Sequence, residues 1–200
     1  WESKSLKNFY TLLLTLSFAR RGWTLTRGRV RSKKGEKMKK IIALKRVGEV
    51  DLRGLSCVTR STSAYIEDFE SLEGFSESVI QKLIPAYQNA FRGDPYFEDW
   101  EPREIIETFQ EILRDKGVVI IMKKEEKVIG FTAGNLLDDG TFWIEELGVI
   151  EDERRQGLAT ELLNQLIEKA KSKGALSIQL KTSTKNGALK LYEDRFDFRQ

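Results

Sequence analysis

Residues 141–174 read TFWIEELGVIEDERRQGLATELLNQLIEKAKSKG: an apolar strand, a turn carrying Arg154, Arg155, Gly157 and Ala159, then a long amphipathic helix. Leu158, Leu162, Leu163, Leu166, Ile167 and Ala170 share one helical face, Lys171 and Lys173 sit in the last turn, and Gly174 supplies the stop. Positive side chains at the start of a helix are disfavoured, because the helix dipole already places partial positive charge there. Two arginines stacked on a glycine in the first turn therefore predict an anion at this point, held by a pyrophosphate cradle made of backbone N–H groups. The plainer alternative is a solvated turn ahead of an ordinary surface helix.

Reading outward, residues 176–181 alternate Leu176, Ile178 and Leu180 as a strand, and Ser183 or Thr184 caps a last helix that runs through Tyr192. Upstream, Ser76 opens a helix with Ile80, Leu83, Ile84, Tyr87 and Phe91 on one stripe, broken at Gly93, Asp94 and Pro95. Pro102 begins a second helix that buries Ile105, Ile106, Phe109 and Leu113 and stops at Gly117. Residues 118–122 and 128–135 read as strands joined by the charged turn KKEEK, and Asp138, Asp139 and Gly140 turn the chain into the strand 141–150. Shorter strand-like runs occupy 41–47 and 57–69. The order is strand, two helices, three antiparallel strands, helix, strand, helix: a mixed α/β sandwich in one domain, residues 38–200, with no internal repeat.

Composition narrows the chemistry. The chain has no histidine, which excludes Ser-His-Asp and Cys-His nucleophile systems, imidazole bases and His-containing zinc sites. The lone cysteine, Cys57, forms no internal disulfide and points to a reducing, cytoplasmic location. Residues 1–60 carry 16 Lys/Arg against 4 Asp/Glu, a net of +12, while residues 61–200 carry 18 against 27, a net of −9. Residues 1–37 thus read as a basic leader, either disordered or lying upstream of a native start at Met38. Its apolar run, residues 9–19, is about half the ~20 residues that span a bilayer, so no membrane span is expected. A short amphipathic anchor is the alternative for this segment. No nucleic-acid recognition pattern accompanies the basic leader.

Three further features bear on chemistry. Glu145 and Glu146 lie within the strand, on opposite faces by alternation, and a carboxylate among Trp143, Leu147 and Val149 is costly unless paired, hydrated or functional. Asn186 falls in the opening turn of the last helix, where its amide either caps that turn or reaches a ligand. Tyr192 follows about two turns later, either as a core-edge aromatic or as a phenol that donates a proton to a leaving group. Glu151, Asp152 and Glu153 complement the helix N-terminus rather than forming a metal site, and no metal is expected. The loop holding Glu98, Asp99, Trp100 and Glu101 is either solvated or attractive to a cationic amine.

The hexamer Arg154-Arg155-Gln156-Gly157-Leu158-Ala159, set between an ELGV strand and a leucine-rich helix, resembles the [R/Q]-x-x-G-x-[G/A] signature of the GCN5-related N-acetyltransferase (GNAT) superfamily. Asn186-Gly187-Ala188-Leu189-Lys190-Leu191-Tyr192 is similar to that superfamily's N-x-x-A-x-x-L-Y element. The likeness covers roughly residues 60–200, with its motif core in 117–200. The loop PYFEDWEPREI looks like those of relatives of aminoglycoside N-acetyltransferases.

The resemblance implies a mixed, mostly antiparallel sheet with helices on both faces, splayed between its fourth and fifth strands to admit acetyl-CoA. Backbone groups of Gln156, Gly157, Leu158, Ala159 and Thr160 would hold the pyrophosphate, with Arg154 and Arg155 adding charge. Leu147, Gly148 and Val149 would pair with the pantetheine arm, and Asn186 would contact pantetheine or phosphate. Tyr192 would serve the departing thiolate and Glu145 would deprotonate the acceptor amine. Val149 N–H would stabilise the oxyanion. The resemblance also implies that the chain, ending at Gln200, stops short of a final strand, which would leave one edge of the split sheet without its partner. The function expected is acetyl transfer to a primary amine of a small molecule or peptide. A non-catalytic acyl-CoA-binding module is the alternative, and a nucleic-acid-binding protein using the basic leader a third.

Overall fold

The structure is a computed structural model that describes residues 39–44, 64–94, 96–183 and 187–199. The basic leader, the proposed start at Met38, Cys57, Pro95, Thr184 and Asn186 lie outside the described residues. The elements in chain order are β1 (Lys39–Leu44), β2 (Ala64–Phe69), α1 (Glu77–Arg92), α2 (Pro102–Arg114), β3 (Val118–Lys124), β4 (Lys127–Leu136) and β5 (Thr141–Val149). A short 3-10 turn (Glu151–Glu153) follows, then α3 (Leu158–Ser172), β6 (Ser177–Ser183), α4 (Leu189–Phe196) and β7 (Phe198–Arg199).

Local chemistry accounts for most boundaries. Pro102 occupies the first turn of α2, where its missing N–H costs nothing, and Glu101 and Glu104 form a reciprocal capping box. Gly174, at φ +83°, turns the chain out of α3 as its sequence position predicts. Gly140, at φ +79°, closes the β4–β5 turn, and Asp139 Oδ1 accepts the Thr141 N–H at 2.8 Å. The last helix departs from expectation. Ser183 belongs to β6, and α4 begins at Leu189.

The strands form one sheet in the order β2-β3-β4-β5-β6-β1-β7. Every neighbouring pair is antiparallel except β5 and β6, which run parallel. Alternation along β4 assigns the helices to faces. The Phe131 ring stacks on Tyr87 of α1 at 5.2 Å and meets Phe109 of α2 edge-on at 5.9 Å. On the opposite face, Gly130 lies against Leu162 of α3. Helices α1 and α2 therefore cover one side of the sheet and α3 the other; α1 and α3 bury the apolar stripe read from their sequence, while in α2 Ile112 is buried and Ile106 only partly so.

Two features of the sheet shape the site. The β5–β6 pairing runs only from Thr141–Ser177 to Ile144–Leu180, after which the two strands part. This is the expected splay between the fourth and fifth strands, which are β5 and β6 once β1 is counted. The other feature corrects an expectation. The far edge of β6 is paired, because β1 lies antiparallel along it with Ala43 opposite Gln179 and Lys39 opposite Ser183. An N-terminal strand thus occupies the position between β6 and the two-residue β7. Nothing in the alternation of residues 39–44 specifies that partner, since pairing choice is a tertiary outcome.

Candidate active site

The site begins at the open edge of β5. Ile150 N–H bonds back to Ile129 O at 3.0 Å, so in an antiparallel ladder the groups of Gly148 face β4, while those of Leu147 and Val149 face the opening. Gly148 is required for packing: a Cβ there would stand 2.8 Å from Phe131 Cε1 and closer still to its Cζ. The strand edge and the aromatic core are thereby held in close register.

Past Val149 the chain makes its 3-10 turn, then places Arg155 at φ +63° and Gly157 at φ +86° on either side of Gln156. Left-handed residues alternating in a turn direct successive N–H groups into a concavity that suits an anion. Helix α3 starts directly afterward. Its first backbone bond is Glu161 N–H to Gly157 O, so the amides of Leu158, Ala159 and Thr160 precede any intrahelical partner. These groups, with the helix dipole, fit a pyrophosphate.

The structure corrects the placement of the arginines. Both precede α3 rather than lying in its first turn, because Gly157 is the N-cap. Arg155 and Gln156 are exposed at the mouth, with Gln156 Nε2 donating to Glu153 Oε2 at 3.0 Å. Arg154 turns inward: its Nε donates to Val149 O at 3.2 Å and its Nη2 to Ala90 O, at the end of α1, at 2.9 Å. Asn89 Oδ1 accepts the Glu151 N–H at 2.8 Å from the same helical turn. Sequence reading missed Asn89 and the α1 carbonyl, as nothing local marks a contact across 62 or 64 residues.

Glu145 sits at a bulge. Ala133 opposes Glu146 and Gly134 opposes Ile144, leaving Glu145 without a Cα partner on β4. Phe131, Ala133 and Asn135 share the α1/α2 face, so their partners Gly148, Glu146 and Trp143 do too. A side-chain hydrogen bond from Trp143 holds Glu145 on that face as well. The expectation that Glu145 and Glu146 lie on opposite faces is therefore overturned, because the extra residue resets the alternation. Thr132 Oγ1, buried beneath, donates to Glu146 O at 2.8 Å and pins the irregular backbone.

Glu145 is exposed as a residue, yet surrounding protein atoms strip water from its carboxyl. Lost hydration pushes the carboxyl up to about 7, the Trp143 hydrogen bond opposes the rise, and the charge of Asp115 adds to it. Tyr192 is buried in α4, its ring 5.8 Å from that of Phe198. Burial pushes its phenol well above the ordinary value, with a smaller contribution from Tyr96 in the α1–α2 loop. In that loop Glu98 accepts from Trp100 Nε1 at 2.8 Å and Glu101 caps α2, so two of the acidic residues also serve local structure. Among the described residues no cluster could hold a metal ion, and no helix is long and apolar enough to cross a membrane.

An open strand edge leading into the turn at residues 154–157 and the start of α3 lies within an α/β protein of the acetyltransferase fold. The chain belongs to the acetyltransferase (GNAT) family, whose sequence model matches residues 82–198. Its fold is similar to the ribosomal-protein-S18-alanine N-acetyltransferase from Escherichia coli, with 19% identity, 66% of this chain and 75% of that one covered, and a TM-score of 0.52. An N-acetyltransferase from Staphylococcus aureus Mu50 is similar at 20% identity, 68% and 82% coverage and a TM-score of 0.52. Aminoglycoside N-acetyltransferase AAC(6')-Iy, solved in complex with CoA, is similar at 17% identity, 72% and 93% coverage and a TM-score of 0.54. No curated protein matches the chain in sequence.

Proposed function

We propose that this protein is an acetyl-CoA-dependent N-acetyltransferase acting on a primary amine of a small molecule or peptide. The observation that carries the reading is the continuity of the open β5 edge with the turn at residues 154–157 and the unpaired amides of α3. That continuity suits a ligand with an amide-bearing arm and a pyrophosphate. Leu147 and the Val149 N–H offer strand-edge groups to the arm, and residues 156–160 offer N–H groups to the phosphates, with Arg155 adding exposed charge. Asn186 is assigned to the same ligand from its motif.

The thioester supplies an activated acyl group, so the chain needs no nucleophile and the missing histidine is no obstacle. Glu145, with its pKa near neutrality, takes a proton from the acceptor ammonium, directly or through water. The freed amine attacks the thioester carbonyl, and Val149 N–H, on the open edge, donates to the oxygen that gains charge. The C–S bond then breaks and Tyr192, which burial keeps protonated, donates to the departing thiolate. A cationic acceptor fits Glu98 and Asp99 in the α1–α2 loop, and the single Cys57 fits a cytoplasmic setting.

The test is a thermal-shift titration with CoA, followed by acetyl-CoA with an amine panel while free thiol is measured. Stabilisation by CoA and amine-dependent thiol release are expected. Stabilisation without release for any amine would leave an acyl-CoA-binding module, and neither response would remove the cofactor assignment altogether.

A further inference from the structure

We propose that Arg154 is a positioning residue that aligns the cofactor-facing strand edge, and that Arg155 alone of the pair meets the phosphates. The inference rests on the cofactor site proposed above. The guanidinium of Arg154 is half-buried and bonds to two backbone carbonyls in different elements, Val149 O and Ala90 O. Since Ile150 N–H points to β4, Val149 O points into the opening, and Arg154 occupies it there. Arg154 therefore fixes the Val149–Ile150 peptide, which directly follows the peptide whose N–H faces the acyl group.

The second bond explains why a charged group is used. Ala90 O lies in the last turn of α1, whose carbonyls lack intrahelical donors and carry the negative end of the helix dipole. Phe91 O in the same turn is served by Glu98 N–H at 3.0 Å, and Ala90 O by the arginine. With Asn89 holding Glu151 N–H, the end of α1 grips the 150–154 turn at two points. The α1–α2 loop departs from that same turn, so Arg154 ties the start of the loop to the end of β5. Arg155, exposed and left-handed, makes no comparable backbone bridge among the described contacts and is open to an anion.

Cofactor truncation separates the two roles. Pantetheine keeps the arm that lies along β5 but lacks the pyrophosphate. Affinities of Arg154→Gln, Arg154→Lys and Arg155→Gln for CoA and for pantetheine are measured by calorimetry, with thermal unfolding of the unliganded proteins alongside. Both Arg154 variants are expected to lose affinity for CoA and pantetheine by the same factor, about tenfold for two lost charge-assisted bonds, and to unfold at lower temperature. Lysine does not rescue, because a point charge cannot span two carbonyls as the planar fork does. Arg155→Gln is expected to weaken CoA alone and to reduce the salt dependence of its binding. The proposal is overturned if the loss in Arg154→Gln is confined to CoA, or if Arg154→Lys restores it. Failure of the wild type to bind either ligand, with Arg154 variants still destabilised, would instead refute the cofactor assignment and leave the bridge as structure only.

Discussion

Replacing Gly148 with alanine should test the register between the open strand edge and the core. The added Cβ would lie 2.8 Å from Phe131 Cε1 and 3.0 Å from Cε2, and closer to Cζ, where ordinary contact begins near 3.4 Å. The ring cannot swing away, being buried, stacked on Tyr87 at 5.2 Å and edge-on to Phe109 at 5.9 Å. Gly148 is not in the left-handed region, so alanine suits the backbone and gains about 0.4–1 kcal/mol by restricting the unfolded chain. Overpacking a close-packed core costs about 1–3 kcal/mol, and with every neighbour fixed the upper end applies. The net loss is about 2 kcal/mol, which lowers Tm by about 4–8 °C in a chain of this size. The strand, paired at this point with β4 alone, should give way, shifting Leu147 and Val149 and weakening CoA binding. Shortening the obstacle with Phe131→Leu removes Cε1, Cε2 and Cζ, so the double variant should be more stable than the sum of the single ones. Calorimetric unfolding of the four proteins in the cycle is the assay. Additive effects, or a Tm for Gly148→Ala equal to the wild type, would refute the argument.

The pH profile of acetyl transfer tests Glu145. With a carboxyl near 7 acting as base, kcat/KM should rise through about pH 7 and then level, and Glu145→Gln should abolish that limb with a loss of about 10²-fold or more. Because folding raises this pKa above its ordinary 4.5, the carboxyl's contribution is fully present below 4.5 and is lost as pH rises to about 7. Wild-type Tm should therefore fall relative to Glu145→Gln across that window, and parallel curves would count against the shift. Tyr192→Phe should lower kcat with little change in CoA affinity, leaving the acidic limb in place; an unchanged kcat would remove the phenol from proton donation. Thr132→Val removes the buried side-chain bond to Glu146 O, a loss of about 0.5–1.5 kcal/mol, which thermal unfolding would detect.

Much of the architecture is legible in the chain because it rests on local rules. The stripe from Leu158 to Ala170 specifies an amphipathic helix whatever it packs on, and Pro102 and Gly174 mark ends by backbone geometry alone. The turn before α3 is legible for the same reason: glycine and short-range amide orientation build it. What failed to read correctly depends on contacts distant in sequence. One extra residue in β5, recognisable only against the register of β4, puts Glu145 and Glu146 on the same face. The start of α4 was placed too early: β6 itself runs on to Ser183, and the helix begins at Leu189.

Composition and periodicity by themselves determined the class of fold, the absence of imidazole side chains in this chain and the position of the turn proposed to hold an anion. The tertiary structure alone decided that Arg154 turns inward while Arg155 stays exposed, the crowding that raises Glu145, and the strand that lies beside β6. Each of those depends on which backbone groups meet across the sheet and at the end of α1. A carbonyl 64 residues away leaves no mark in the sequence around Arg154, yet it determines which way that side chain points.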